Sequence, residues 1–408
     1  MMLWKAQTHF ILSVAASLTL SAVHAGAAVN APKGKSMTQV VTAANAFGID
    51  LLGKLAKGKP DGNCFLSPYS IQQALLLADN GAAGVTKSEI GAVLHLGATP
   101  LSEVNTQSNA LRGSLHAADP QVKISVANAI WADQSFQFNP SYEETCRKFY
   151  AAQAQTVALH QTSGANTINA WVAQKTEGKI KQIVSPAALR LAKAVLTNAV
   201  YFHGSWTTPF KAHDTRPQPF HLTPQTTAQV PTMSRTGAID YAKTTNWEAV
   251  ALPYGGGRLR MIAILPSEDN SLNAFLGSLT AGEWSAITQQ LKPTRLSLFL
   301  PKVHVDYAAS LKPALSSLGM KTAFLDSADF TPMGGRNDIK IFDVLHKTTL
   351  DIDEEGTTAA AATAVIMQPK AMMAPPSLTV RIDRPFYCAI QDMQSGAVLF
   401  AGAIHNPG

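Results

Sequence analysis

The residue types that usually do chemistry are present in this chain, but not at working spacings. No Gly-x-Ser-x-Gly occurs, so the nucleophile elbow of the esterases is missing. Ser-x-x-Lys is absent too, which removes the penicillin-recognising enzymes. There is no His-Glu-x-x-His. His203, His213 and His221 fall close together, yet they fit no compact metal motif, and the Pro-rich stretch between them makes them read as loop histidines. Cys64, Cys146 and Cys388 are too widely spaced for a zinc motif or a disulfide framework. Their apolar neighbours favour buried free thiols, with a Cys64–Cys388 bridge the lesser alternative. Gly255 to Gly257 precede no helix start, so they make a hairpin turn rather than a phosphate cradle. No enzyme, metal or cofactor is expected.

The stretch that stands out is Asp353 to Met373, DEEGTTAAAATAVIMQPKAMM. Glu354 and Glu355 lead into Gly356, after which Thr357, Thr358, Ala359, Ala360, Ala361, Ala362 and Thr363 are all small. Alanine favours helix, but the glycine, the threonines and Pro369 oppose it, so the segment is not committed to one state. With a period of two, Thr357, Ala359, Ala361, Thr363, Val365 and Met367 share one uncharged face that a sheet could bury. Lys370 is the only basic residue between Gly356 and Arg381.

The elements around this stretch place it. HKTTLDIDEEGTT upstream reads as a strand running into it, and VRIDRPFYCAI and AVLFAGAIHNPG downstream read as two buried strands. Near the start, Val40, Ala44, Phe47, Leu51 and Leu55 keep a helical period. NCFLSPYSIQQALLLADNGAAG gives a short strand, then a buried helix capped by Ser67 with Pro68 in its first position. ISVANAIWADQSFQFNPSYEETCRKFYAAQAQTV reads as strand and helix, and INAWVAQKTEGKIKQIV as a helix broken at Gly178. AVLTNAVYFHGSWTTPF and EAVALPYGGGRLRMIAILP supply further strands, and LSLFLPKVHVDYAASLKPALSSLGMKTAF strand and helix again.

In this order, from about Thr38 to Gly408, these signatures resemble the serpin superfamily, with Asn169, Trp171, Thr176, Gly178 and Lys179 in nearly the family's wording. The resemblance implies an α+β serpin fold: a large main β-sheet, two further sheets, about nine helices and an exposed reactive-centre loop at about 356–376. It implies an inhibitor of serine proteases, with Glu354 to Thr363 as a hinge that inserts into the main sheet once the loop is cut. The family's bait position, fourteen residues beyond the hinge glycine, falls on Lys370, with Ala371 on the leaving side. A lysine suits the acidic pocket of a trypsin-like protease, while Met372 is an alternative bait for chymotrypsin- or elastase-like enzymes. The resemblance also puts Trp206 at the top of the sheet, where insertion starts, and Ser67, Ser70, Asn198 and His346 under its middle, where strands must part. A non-inhibitory serpin, acting as chaperone or carrier, is the runner-up.

Met1 to Ala25 has Lys5, an apolar run from Phe10 to Leu20 and small residues before Gly26, the pattern of a secretory signal peptide. Residues 26–37 read as a flexible tail and 38–408 as one domain, since no linker interrupts them. The expected location is extracellular, or periplasmic in a Gram-negative source. Composition is globular, 46% hydrophobic and 15% charged. The net charge of +6 is scattered, and the region Leu101 to Gln121 holds one basic residue, Arg112, so the basic groups read as a solvated surface. A monomer is expected, with a serine protease as covalent partner and neither nucleic acid nor membrane.

Overall fold

The computed structural model describes residues 37–116, 119–335, 339–357 and 378–408. Helix α1 (Thr38–Gly58) buries Val40, Ala44, Phe47 and Leu51, and β1 (Cys64–Leu66) leads into α2 (Pro68–Asn80). The Ser67 hydroxyl accepts the Ser70 amide at 3.2 Å, and Pro68 sits in the first turn, where its missing N–H costs nothing. Every residue from Pro68 to Asp79 is buried, as in a helix surrounded by protein. Helices α3 (Gly84–Val93), α4 (Leu101–His116), α5 (Pro140–Tyr150), α6 (Thr162–Lys175) and α7 (Pro186–Leu189) follow. Later come α8 (Leu272–Ser278), α9 (Ala281–Gln290), α10 (Lys312–Leu318) and α11 (Thr331–Gly334). Among the described residues the α-helices number eleven, and α7 and α11 are single turns.

The strands after β1 are β2 (Val122–Asp133), β3 (Gln153–Val157), β4 (Ala194–Ser205), β5 (Arg216–Thr223), β6 (Thr226–Lys243), β7 (Trp247–Tyr254) and β8 (Leu259–Pro266). The remainder are β9 (Lys292–Pro301), β10 (Val303–Ser310), β11 (Ile341–Ile352), β12 (Gly356–Thr357), β13 (Thr379–Arg381), β14 (Phe386–Asp392) and β15 (Val398–Ile404). The six-stranded main sheet has the order β10-β11-β12-β4-β2-β3. Its central feature is a parallel pairing of β11 with β4, from Ile341 beside Ala194 to Thr349 beside Tyr201. Leu196 and Val200 of β4 join the large core that also holds α2, while Val195 packs with Trp131, Ala165 and Ile168 beneath α6. Protein therefore covers β4 on both faces, which explains its near-continuous apolar run. β11 alternates instead, with Val344, His346, Thr348, Leu350 and Ile352 turned inward.

The two further sheets expected are joined into one nine-stranded ladder. The long strand β6 pairs with β5 at its start and β7 at its end, and with β9 along most of its length. The glycine turn joins β7 to β8 as a hairpin, with Gly255 at φ +49° and Gly257 at φ +91°, a backbone suited to glycine. All three cysteines are free and buried, so the Cys64–Cys388 bridge is not formed; β15 separates the strands that carry them. Burial raises their thiols to about 11 for Cys64 and about 12 for Cys146 and Cys388, so they are inert. Two of the three histidines read as loop residues lie in strands, His203 in β4 and His221 in β5, the latter because the proline-containing segment after Thr215 still pairs with β6. Among the described residues no metal-binding cluster forms.

Candidate functional site

Where β11 ends, the chain turns sharply. Asp353 Oδ1 accepts the amides of Glu355 at 2.9 Å and Gly356 at 3.1 Å, and the Asp353 amide donates to the Gly356 carbonyl at 2.9 Å. Glu354 is tied to another part of the fold. Its carboxylate accepts from Lys302 Nζ at 2.8 Å and from Thr215 Oγ1 at 2.7 Å. Partial burial pushes this carboxyl's pKa up, but those hydrogen bonds outweigh it and hold the group below its ordinary range. Trp206 reads the main chain of the same turn twice, its indole N–H donating to the Asp353 carbonyl at 2.9 Å and its amide to that of Glu355 at 2.8 Å. The Phe210 amide takes the Glu354 carbonyl at 2.8 Å.

Past the turn, Gly356 and Thr357 enter the sheet. As β12 they lie between β11 and β4, Thr357 opposite both Ile352 and Gly204 and Gly356 opposite Ser205. Thr357 is fully buried, and its hydroxyl lies 2.6 Å from that of Tyr254, whose ring stacks on Trp206 at 4.5 Å. A Cβ on Gly356 would stand 2.1 Å from the Gly204 carbonyl oxygen, so only glycine permits this approach. Thr358, Ala359, Ala360, Ala361, Ala362 and Thr363, with the Lys370–Ala371 bond, lie outside the described residues.

Lower in the sheet, a polar cluster spans the β4–β11 seam. His346 of β11 stands beside Asn198 of β4 in register, and its Nδ1 bonds Asn198 Oδ1. Asn198 Nδ2 donates to Ser70 Oγ and Asn128 Oδ1, while Asn128 Nδ2 donates to the Ser70 carbonyl at 3.2 Å. Ser67 joins through the Ser70 amide and donates to the Leu399 carbonyl at 2.6 Å. Burial pushes the His346 pKa down to about 3, so the ring is neutral, with Nε2 unpartnered among the described residues. The cluster is thus satisfied except at Nε2, and it puts a polar contact where an apolar one would fix the two strands together.

The structure thus gathers Ser67, Ser70, Asn198 and His346 in one place, and Trp206 with Glu354, Glu355, Gly356 and Thr357 in another. Sequence reading missed Asn128, Tyr254, Lys302, Thr215 and Phe210. Asn128 carried a signal, a polar residue inside an apolar strand run; the others make contacts too distant in sequence to see.

These residues form a sheet with a turn feeding a short strand into it. The family model for serpins (serine protease inhibitors) matches residues 42–407. An uncharacterised serpin-like protein of Thermococcus kodakarensis is 36% identical over 373 residues, covering 90% of this chain and 86% of its own. Leukocyte elastase inhibitor of Bos taurus is 31% identical across 91% of this chain and 100% of its own. Among solved structures, a highly specific serpin of the insect Tenebrio molitor matches with a TM-score of 0.82 at 27% identity, over 91% of this chain and 98% of its own. The thermophilic serpin tengpin in its native state matches at 0.81 and 28%, over 90% and 94%. The chain belongs to the serpin family, whose members are protease inhibitors rather than enzymes.

Proposed function

We propose that this protein is a secreted suicide-substrate inhibitor of trypsin-like serine proteases, cut between Lys370 and Ala371. The protease serine attacks the Lys370 carbonyl carbon, the bond to the Ala371 nitrogen breaks, and Lys370 is left as an ester on the enzyme. The freed upstream segment then continues the course that β12 has begun, between β4 and β11. Strand addition of this kind is a general recognition mode in which serpin loops are the named example. At roughly 1 kcal/mol net per new main-chain hydrogen bond, a dozen residues supply on the order of 10 kcal/mol. That suffices to drag the tethered protease and distort a triad that tolerates little misplacement, so the ester is not hydrolysed.

The single observation that carries this reading is the seating of Gly356 and Thr357 between two strands, which aims the hinge down the seam. The leader-like Met1 to Ala25 supports export. The bovine relative is named as an inhibitor of leukocyte elastase, and Met372 is the bait that would suit such an enzyme. One experiment separates the two readings: incubation with trypsin, chymotrypsin and elastase, followed by denaturing gels and mass measurement of the released C-terminal peptide. A trypsin adduct with a peptide starting at Ala371 is expected. A peptide starting at Met373 moves the bait to Met372, and no adduct with any of the three overturns the inhibitory reading.

A further inference from the structure

The nine-stranded sheet carries a groove unconnected with the seam. It encloses about 240 Å³ and takes its walls from four strands and the segment after them: Gln218 of β5, Thr232 of β6, Phe299 of β9 and Arg381 of β13, with His221 and Asp383 at the rim. Arg381 lies opposite Phe299 in register, and its guanidinium sits over that ring, 3.9 Å from the centroid. Stacking holds the guanidinium plane while leaving its N–H edges unused. Among the described residues Arg381 makes no ion pair, and neither its guanidinium nor the Gln218 side-chain amide has a hydrogen-bond partner. Among the described residues the one carboxylate on the groove, Asp383, is engaged by Arg384 at 3.1 Å. The Thr232 hydroxyl spends its proton on the Val230 carbonyl at 3.1 Å and keeps its lone pairs.

We propose that this groove binds a tetrahedral oxyanion, a sulfate or phosphate group, held by the Arg381 fork and the Gln218 amide. A planar fork with paired donors matches such an anion in a way a lysine does not. A water's share of liquid volume is about 30 Å³, so the groove has room for the anion with several waters. The net charge of +6 favours the encounter. The bound group bridges β13 to β5 across β9 and β6. β13 is a three-residue strand that among the described residues pairs only with β9, so the anion fastens a weakly held element. The group is either free in solution or an ester on a sulfated sugar, and the two sources share this chemistry.

Melting curves of the parent, Arg381→Ala, Arg381→Lys and Gln218→Ala test the site in sodium sulfate and in sodium chloride of equal ionic strength. Sulfate strengthens burial in any protein, so the readout is the difference between parent and variant. The parent should gain about 1–3 °C beyond Arg381→Ala in 50 mM sulfate, with Arg381→Lys and Gln218→Ala in between. Hydrogen exchange at Arg381 and Ile382 should slow in sulfate for the parent alone. A heparin-derived hexasaccharide run beside sulfate identifies the source. Tenfold or tighter binding than inorganic sulfate, abolished by Arg381→Ala, assigns the ester, and equal affinity assigns the free ion. Equal sulfate gains in parent and Arg381→Ala, with exchange unchanged, overturn the proposal.

Discussion

Thr357 offers the sharpest test of the hinge. Its side chain is fully buried beside the Tyr254 hydroxyl, beneath a ring stacked on Trp206. Thr357→Arg removes that hydrogen bond, worth about 1 kcal/mol, and asks the sheet to hold a guanidinium without a partner, a cost of several kcal/mol after relaxation. Holding β12 in place are three register pairs, Ile352 with Thr357, Gly356 with Ser205 and Thr357 with Gly204. At roughly 1 kcal/mol net per hydrogen bond these cannot outweigh the buried charge, so the hinge should leave the sheet and later insertion should slow. Deacylation then wins. Each 1.4 kcal/mol on the insertion barrier shifts the partition about tenfold, so the moles of protein consumed per mole of trypsin inhibited should rise at least tenfold. Cleavage after Lys370 should persist. Thr358→Arg is the control, since alternation in an inserted strand would turn its side chain to the opposite face, and it should be much milder. If Thr357→Arg inhibits at the parent's stoichiometry, or Thr358→Arg proves the more damaging, the inward face has been assigned wrongly.

Other expectations use separate observables. Loop cleavage should raise the melting temperature by tens of degrees, because the proposed insertion would add main-chain pairs and would bury Val365 and Met367; equal midpoints for intact and cut protein would sink the insertion mechanism. Gly356→Ala places a methyl 2.1 Å from the Gly204 carbonyl oxygen, so β12 should unpair and the amides of Gly356 and Thr357 should lose hydrogen-exchange protection. Unchanged protection would show that the backbone accommodates the methyl. Acid stability should reflect two opposed buried groups. His346, lowered from 6.5 to about 3, is held neutral by the fold, so its contribution is complete above pH 6.5 and is lost as pH falls towards 3, about 2 kcal/mol by pH 5. Asp79, raised from 3.8 to about 6 by burial, keeps its proton to higher pH than in the unfolded chain, so its contribution is lost as pH rises through 6 and about 1 kcal/mol of it returns at pH 5. Asp79→Asn should therefore steepen the loss of stability from pH 7 to 5, and His346→Gln should reverse it. Parallel pH profiles for parent and both variants would contradict this assignment.

Most of the element order was legible because it rests on short-range pattern. The Ser67-Pro68 start of α2, the alternation along β11 and the glycine turn after Tyr254 each need only a handful of neighbouring residues. Of the face the hinge was expected to turn inward, Thr357 is the one described member and it is buried, while Ala359, Ala361, Thr363, Val365 and Met367 lie outside the described residues. What sequence could not supply were partners brought together by the tertiary fold. Lys302 reaches Glu354 across 52 residues and Tyr254 reaches Thr357 across 103, with nothing local to either to mark them. His221 was misplaced because prolines argued for loop, yet Pro217 and Pro219 sit in β5, which among the described residues pairs with β6 alone. The continuity of the nine-stranded ladder was hidden because β6 changes partners along its length, and a strand's periodicity does not say whom it pairs with.

The parallel seam between β4 and β11 has a consequence for direction. The turn at Asp353 reverses the chain, so β12 must run antiparallel to β11, and because β4 runs with β11 it is antiparallel to β4 as well. Continuing that course would exchange one parallel ladder of slanted bonds, the slightly weaker kind per residue, for two antiparallel ladders. With β10 already antiparallel to β11 and β2 to β4, the sheet from β10 to β2 would then alternate in direction without a break. The connectivity of the chain thus makes the form in which β4 and β11 pair directly the mismatched one, and under the proposed mechanism expelling the new strand would mean restoring a poorer ladder while giving up two better ones. A device of that kind would run once.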